Sequence, residues 1–471
     1  MPTPHLHIQV EPDRYVASLT ARQHHELLGM LGPGQISLEP QVRADYGRDE
    51  SPVFPALPAA VVWASSAQDV SKVLSFAQRE RIPVTPRGAG SGKVGGAIPL
   101  YGGIVLSMER MNQLLELDPS NRLARCAPGV ITGTLRARAE SVGLFYPVDP
   151  NSLDWCSLGG NVAANAAGPS SMKYGATRDQ VLGLQVVLPD GEILQLGRQT
   201  TKCSTGYDLC SLITGSEGTL AVVTEVTLRL QARPAAVRTL FATFPSSMMA
   251  VEALTDLYRA GLEPCCAEFF DVYAMEAMTE ALGLPSGAGA GLLFELDGPE
   301  AGLDEALERL LGVLGDRAQA VSMAHDEAQR RKLWEARKQL SIRVKQRYAR
   351  FVTEDVAVPP GRLPKLVEFV QALRLRSGID ILCYGHAGDG NLHVNFLYHG
   401  PEQYEAVEQA VGALFGQVVA LGGTLSGEHG IGASKRKYMG LEQGHAQLAL
   451  QKRLKAVFDP AGILNPGKVF P

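Results

Sequence analysis

Several large classes of protein are excluded by what this chain does not contain. In 471 residues no apolar run approaches the roughly 18 needed to cross a bilayer. No run of lysines and arginines offsets the net charge of -5, so nucleic acid is not an expected partner. The cysteines (Cys126, Cys156, Cys203, Cys210, Cys265, Cys266 and Cys383) are scattered and odd in number, with no metal-type C-x-x-C pair. They predict free thiols in a reducing compartment rather than a disulfide framework. The opening residues, MPTPHLHIQVEPDR, lack the basic-then-apolar order of a secretory signal. The expectation is a cytoplasmic protein, with peripheral contact at the inner membrane face through a partner left open. Histidine is absent between His25 and His325.

What remains is ordinary in bulk and unusual in pattern. The chain is 45% hydrophobic and 20% charged, enough to bury a large core, and its length suggests two or three domains. Residues 1–54 read as a helical lead-in ending near the Pro-rich PVFPALP. Residues 82–235 are short strands broken by Gly-rich turns, with a hairpin at Leu184–Leu196 around Asp190-Gly191. After Arg233-Pro234, strand-then-helix units appear, which predicts an antiparallel or mixed sheet backed by helices.

The sequence GSGKVG at 90–95 matches G-x-G-x-x-G, but Gly96, Pro99, Gly102 and Gly103 follow. A dinucleotide fold needs a helix to start there, so that reading is rejected. The glycines still permit either a plain turn or a nest of amides that holds an anion, with Arg87 adding charge. Four further segments, SLGGNVAANAAG (157–168), KYGATRD (173–179), TGYD (205–208) and TGSEGT (214–219), have the same small, turn-rich character. Together they can surround one large polyanionic cofactor.

The second concentration of chemistry is CYGHAGDGNLHVNF at 383–396 and GEHGIG at 427–432. Gly385, Gly388, Asp389 and Gly390 predict a hairpin turn, so that His386 leaves one strand as His393 enters the next. Alternation then puts His393 and Asn395 on one face and Leu392, Val394 and Phe396 on the other.

Residues 55–235, through PVTPRGAGSG, LGGNVAANAAG, KYGATRDQVLGLQVVLPDG and TGYDLCSLITGSEGTLAVVTEVTLRL, resemble the FAD-binding domain of the vanillyl-alcohol oxidase / p-cresol methylhydroxylase superfamily. Residues 236–471, through GHAGDGNLHVN, GEHGIG and FDPAGILNPGK, resemble its D-2-hydroxyacid dehydrogenase branch, which includes glycolate oxidase FAD subunits and D-lactate dehydrogenases. The resemblance implies an α+β chain: a two-subdomain PCMH-type FAD-binding domain, then an α+β (ferredoxin-like) substrate domain. The last ~30 residues of the chain would return toward the flavin.

It also implies site residues. Those for FAD are Pro86, Arg87, Gly88, Ala89, Gly90, Ser91 and Gly92; Pro150, Leu158, Gly159, Gly160, Asn161, Ala164, Asn165 and Gly168; Tyr174 and Gly175; Gly215, Glu217, Gly218, Val222 and Val223; and Asn465. Ser91 stands where some relatives carry a flavin-linking histidine, so FAD is expected to be non-covalent. His386, His393 and Glu428 become ligands of a divalent metal, zinc in the first instance with manganese or iron open, and His429 the catalytic base. Two imidazoles and a carboxylate with open positions suit a catalytic metal. One such histidine alone would be an ordinary core or turn residue. His5, His7, His24, His25, His325, His399 and His445 are read that way.

Arg337, in LWEARKQL, is either a solvated helix residue or the clamp on a substrate carboxylate, the role the resemblance implies. Asn395 would orient substrate or a ligand. Relatives acting on 2-hydroxyglutarate tend to have lysine where this chain has Thr353, which disfavours a dicarboxylate. Lys468 either reaches the flavin or solvates the tail.

The expected activity is oxidation of glycolate or D-lactate to the 2-oxo acid. Hydride goes to FAD, and electrons leave to a quinone, an iron–sulfur subunit or a soluble carrier. D-2-hydroxyglutarate oxidation and a non-catalytic flavin-binding accessory subunit are the rivals. A homodimer or a complex with other oxidase subunits is open.

Overall fold

A computed structural model describes residues 18–283, 287–348 and 350–471. His5, His7 and the start of the expected lead-in lie outside the described residues. The chain divides into two compact units. One comprises residues 18–167, Gly175–Arg233 and Glu428–Pro471; the other comprises Gly168–Tyr174 and Pro234–Gly427.

The first unit holds two sheets. Ala60–Trp63, Ile104–Ser107 and Val84–Arg87 run parallel, and Ile36–Ser37 from the lead-in pairs antiparallel on the edge. The helix Ala67–Glu80 covers this sheet, capped by Ser66, whose hydroxyl accepts from the Asp69 amide. Val70, Val73, Leu74 and Ala77 form its buried stripe at helical spacing.

The other sheet is antiparallel and five-stranded, in the order Leu114–Asp118, Leu123–Cys126, Val222–Arg229, Val181–Val187, Ile193–Gly197. The Asp190-Gly191 hairpin forms as the sequence predicts, with Gly191 at φ 95°. Residues 88–103 contain no helix, so the Gly-rich loop lacks the element a dinucleotide fold requires.

The run SLGGNVAANAAG, expected to be a turn, is instead largely helical. Leu158–Ala164 is a short helix capped by the Ser157 side chain and closed by Asn165 in the left-handed region. Its small residues answer a packing demand: a Cβ at Gly159 would stand 2.6 Å from Pro128, and one at Gly88 2.4 Å from the Ser157 hydroxyl.

The second unit is a seven-stranded antiparallel sheet. Its order is Ala320–Met323, Ala236–Phe244, Ala290–Gly298, Cys266–Phe270, Asp380–Gly385, Asn391–Tyr398, Arg350–Ala357. The 21-residue helix Glu327–Arg347 starts at Asp326, whose carboxylate accepts from the Gln329 amide. It buries Ala336, Leu340 and Val344 against Phe241, Phe270, Met275 and Leu382.

The predicted hairpin is present. Tyr384 pairs with His393 and Leu382 with Asn395, across a short 3-10 turn at Ala387–Asp389. Gly390 closes that turn at φ 84°, where a Cβ would stand 2.0 Å from the Val358 carbonyl. Gly390→Ala is therefore expected to destabilise the protein by at least the roughly 1–3 kcal/mol of a forced left-handed residue. Thermal unfolding checks this, and an unchanged midpoint would show that the turn relaxes freely.

Candidate active site

In the first unit a cavity of about 270 Å³ is walled by the Gly-rich turns. The 86–92 turn, the first helical turn at Gly159–Asn161, and Glu217, Gly218, Val222 and Val223 all line it, as do Pro150 and Ala164. Glu428 and His429 line the same cavity. Other residues of the expected FAD set stand elsewhere. Leu158 packs in the core, Asn165 caps the helix, and Gly175 and Gly215 occupy neighbouring turns off the wall. Gly168 and Tyr174 belong to the other unit, where the Tyr174 hydroxyl donates to Asp297. The TGYD turn is also off the wall, and its Tyr207 is 94% exposed. Trp155, Met108 and Ser216 line the cavity without having been singled out, because nothing local distinguishes them.

The loop that carries His429 is held from below. Glu217, at φ 53°, accepts from the Ile431 and Gly432 amides, each at 2.7 Å. Burial raises the pKa of its carboxyl, and the two amides and Lys468 act the other way. Asn465 is a strut off the cavity wall: its amide donates to Gly96 O at 3.1 Å and to Glu217 O at 2.8 Å. Lys468 is buried and donates to Ile98 O at 2.6 Å. Burial pushes its pKa down to about 7, against the opposing charges of Asp49 and Glu217. Arg87 lies on the wall, with its guanidinium 5.3 Å from the Tyr46 ring centre, and burial lowers its pKa.

In the second unit the hairpin brings His386 and His393 together. Their ring centres lie 5.4 Å apart, edge to face, and their candidate ligand nitrogens are within 4.8 Å of one another. The predicted polar face is not open to water, because all eight residues of Asn391–Tyr398 are buried.

Glu268, in the strand Cys266–Phe270, is completely buried and holds two of the candidates at once. Its Oε1 accepts from His386 Nδ1 and its Oε2 from Arg337 Nε. Burial alone would raise the pKa of this carboxyl. The Arg337 guanidinium and His386 outweigh burial and hold the group well below the usual carboxylate range. Arg337 is thus not a solvated helix residue; it is 7% exposed and lies 5.0 Å over the Tyr384 ring. Thr353 faces Asn395 across the sheet and donates its hydroxyl to Asn395 Oδ1 at 2.7 Å. Asp355, also buried, accepts from Asn391 at 2.6 Å and from Ser426 at 2.9 Å. This places Gly427 tightly, since a Cβ there would stand 2.2 Å from Asn391. Glu428 is the next residue along the chain.

His24, His25, His325, His399 and His445 are exposed or half-buried. None of the cysteines is in a disulfide. Among the described residues no helix is long and apolar enough to cross a membrane.

The first unit thus offers a Gly-lined cavity, and the second a helix-backed antiparallel sheet. Residues 58–197 match the family described as FAD binding domain, and residues 233–469 match FAD linked oxidases, C-terminal domain. The chain belongs to the FAD-linked oxidases, and is an FAD-dependent oxidoreductase. It is 36% identical to a glycolate oxidase subunit of Bacillus subtilis, over 96% of this chain and 97% of that protein. To a D-lactate dehydrogenase of Anaerostipes hadrus it is 33% identical, over 93% and 95%. The fold is that of p-cresol methylhydroxylase, with a TM-score of 0.80 at 16% identity over 97% of this chain and 98% of that one.

Proposed function

We propose that the protein oxidises a small D-2-hydroxy acid, glycolate or D-lactate, to the corresponding 2-oxo acid, with FAD bound non-covalently. The observation that carries this reading is that Glu428 and His429 line the same cavity as the Gly-rich turns. FAD, when bound, supplies the acceptor for the hydride that leaves C2 of the substrate. His429 takes the hydroxyl proton as that C–H bond breaks. Ser91, on the cavity wall, has no ring nitrogen with which to form a histidyl link to the flavin.

Arg337 binds the substrate carboxylate. Its guanidinium is a planar fork, and the bond from Nε to Glu268 sets the plane of that fork. His386, His393 and Glu428 would hold a divalent ion, zinc before manganese or iron, which would supply Lewis-acid polarisation of the substrate hydroxyl. Asn395, held by Thr353, orients the substrate or a ligand. Thr353 carries no charge to meet a distal carboxylate, which favours a monocarboxylate over D-2-hydroxyglutarate. Electrons pass to a non-NAD acceptor, namely a quinone, an iron–sulfur subunit or a soluble carrier. The glycolate oxidase relative is itself named as a subunit, which supports a complex.

An anaerobic visible spectrum of the purified protein, before and after glycolate, D-lactate or D-2-hydroxyglutarate, tests this. Bleaching of the oxidised flavin by glycolate or D-lactate is the expected result. Bleaching by D-2-hydroxyglutarate alone would move the substrate to the rival. A flavin that none of the three bleaches would point to an accessory subunit.

A further inference from the structure

We propose that Glu268 is a positioning residue that fixes, with one carboxylate, both the tautomer of His386 and the plane of Arg337. The inference rests on the reading of His386 as a metal ligand and goes beyond it, because Glu268 itself touches neither metal nor substrate in that reading.

The argument starts from what a carboxylate can do. An ionised glutamate only accepts hydrogen bonds, and each of its oxygens here faces a nitrogen. Arg337 Nε is always a donor. His386 Nδ1 must therefore donate as well, and a neutral imidazole with its proton on Nδ1 carries its lone pair on Nε2. In that tautomer Nε2 is the nitrogen with the lone pair a ligand needs. Glu268 thus prepares His386 for a metal in the way that carboxylates behind metal-bound histidines do.

Its position is rigid. Glu268 lies in a strand whose five residues are all buried, 69 residues from Arg337 and 118 from His386 in sequence. A carboxylate with no exposed surface is costly to hold unless it is fully paired, so both partners are held as firmly as the charge itself.

The neighbouring strand supplies an internal control. Glu295 also anchors the Glu327–Arg347 helix. It accepts from Arg330 Nε and Nη2, each at 2.8 Å, from Trp334 at 2.8 Å, and from Thr239 at 2.9 Å. It grips the same helix with similar chemistry, and these bonds reach none of His386, His393 and Glu428.

Glu268→Gln separates positioning from bulk. The amide has one accepting oxygen, which the guanidinium keeps, so its NH2 must face His386 Nδ1. That forces the ring proton to Nε2 and removes the lone pair from the ligating atom. The full-length FAD-loaded protein is stripped of metal with a chelator and titrated with Zn²⁺ against a chromophoric competitor. Zinc affinity is expected to fall about 10–100-fold in Glu268→Gln, the usual effect of removing such a partner. FAD absorbance and stoichiometry should not change, and Glu295→Gln, whose carboxylate lies within 4.8 Å of Cys265 and Cys266, should keep the wild-type affinity of the zinc equivalent that His386→Ala loses.

Wild-type zinc affinity in Glu268→Gln would overturn the proposal. An equal loss in Glu295→Gln would also overturn it, by tracing the effect to helix anchoring. If His386→Ala binds zinc as tightly as the wild type, the ligand assignment itself has failed, a result distinct from the other two. Should Glu268→Gln not fold, ¹⁵N-histidine NMR of the metal-free wild type decides. The His386 signals, assigned by their loss in His386→Ala, must show the proton on Nδ1; a proton on Nε2 refutes the proposal.

Discussion

Replacing His429 with alanine is expected to slow flavin reduction by about 10²–10⁴-fold, the range a positioned general base contributes. The FAD should stay bound with an ordinary oxidised spectrum. The expectation is sharp because the loop has backbone anchors of its own. Its backbone is held by Glu217, through the Ile431 and Gly432 amides, and by Val94 O, which accepts from the Ala433 amide at 2.8 Å. Alanine therefore removes the base and leaves the cavity wall in place. Anaerobic stopped-flow reduction with the preferred acid, monitored at the flavin band, measures the effect. Reduction within about threefold of wild type would remove His429 from the proton-transfer step.

The other large effect belongs to Arg337. In Arg337→Ala the Glu268 carboxylate stays buried without the guanidinium that offsets its desolvation. Breaking one side of a buried pair costs about 3–5 kcal/mol. The thermal midpoint should fall clearly, and substrate binding should be lost with it. Arg337→Lys divides the two roles. A lysine restores a charge near Glu268 and recovers much of the stability, but a point charge cannot replace a planar fork. Apparent KM should therefore rise while kcat changes less. If Arg337→Ala unfolds like the wild type, the pair does not stabilise the protein in solution. If Arg337→Lys leaves KM unchanged, the clamp role falls.

How far the site was readable follows from sequence separation. The His386–His393 hairpin was legible because everything that shapes it is local. Asp389-Gly390 and Gly385 dictate the turn, and alternation dictates which side chains share a face. The absence of a helix after GSGKVG was legible for the same reason, since prolines and glycines cannot sustain one. The run at 157–168 reads as a turn but contains a short helix. Its serine cap and alanines favour a short helix, and glycine is needed at 159 because Pro128 packs against it. Nothing in the local string announces that contact.

Glu268 was not legible at all. In the strand CAEFF it looks like one polar residue in an apolar run. Its importance comes only from two partners brought to it across the sheet and from a helix.

By itself, then, the sequence determined the local turns, the strand and helix periodicities, and the kinds of chemistry available: amide-rich loops for a polyanionic cofactor, and imidazoles and carboxylates for acid–base or metal work. Those properties depend on neighbours a few residues away, where steric and hydrogen-bonding rules act directly on the chain. Tertiary structure alone decided that Glu428 and His429 stand on the wall of the Gly-lined cavity, that Asn465 and Lys468 are struts off that wall, and that a fully buried glutamate ties Arg337 to His386. Burial and long-range pairing set the charge state and orientation of those groups, and neither is a property of any short stretch of sequence.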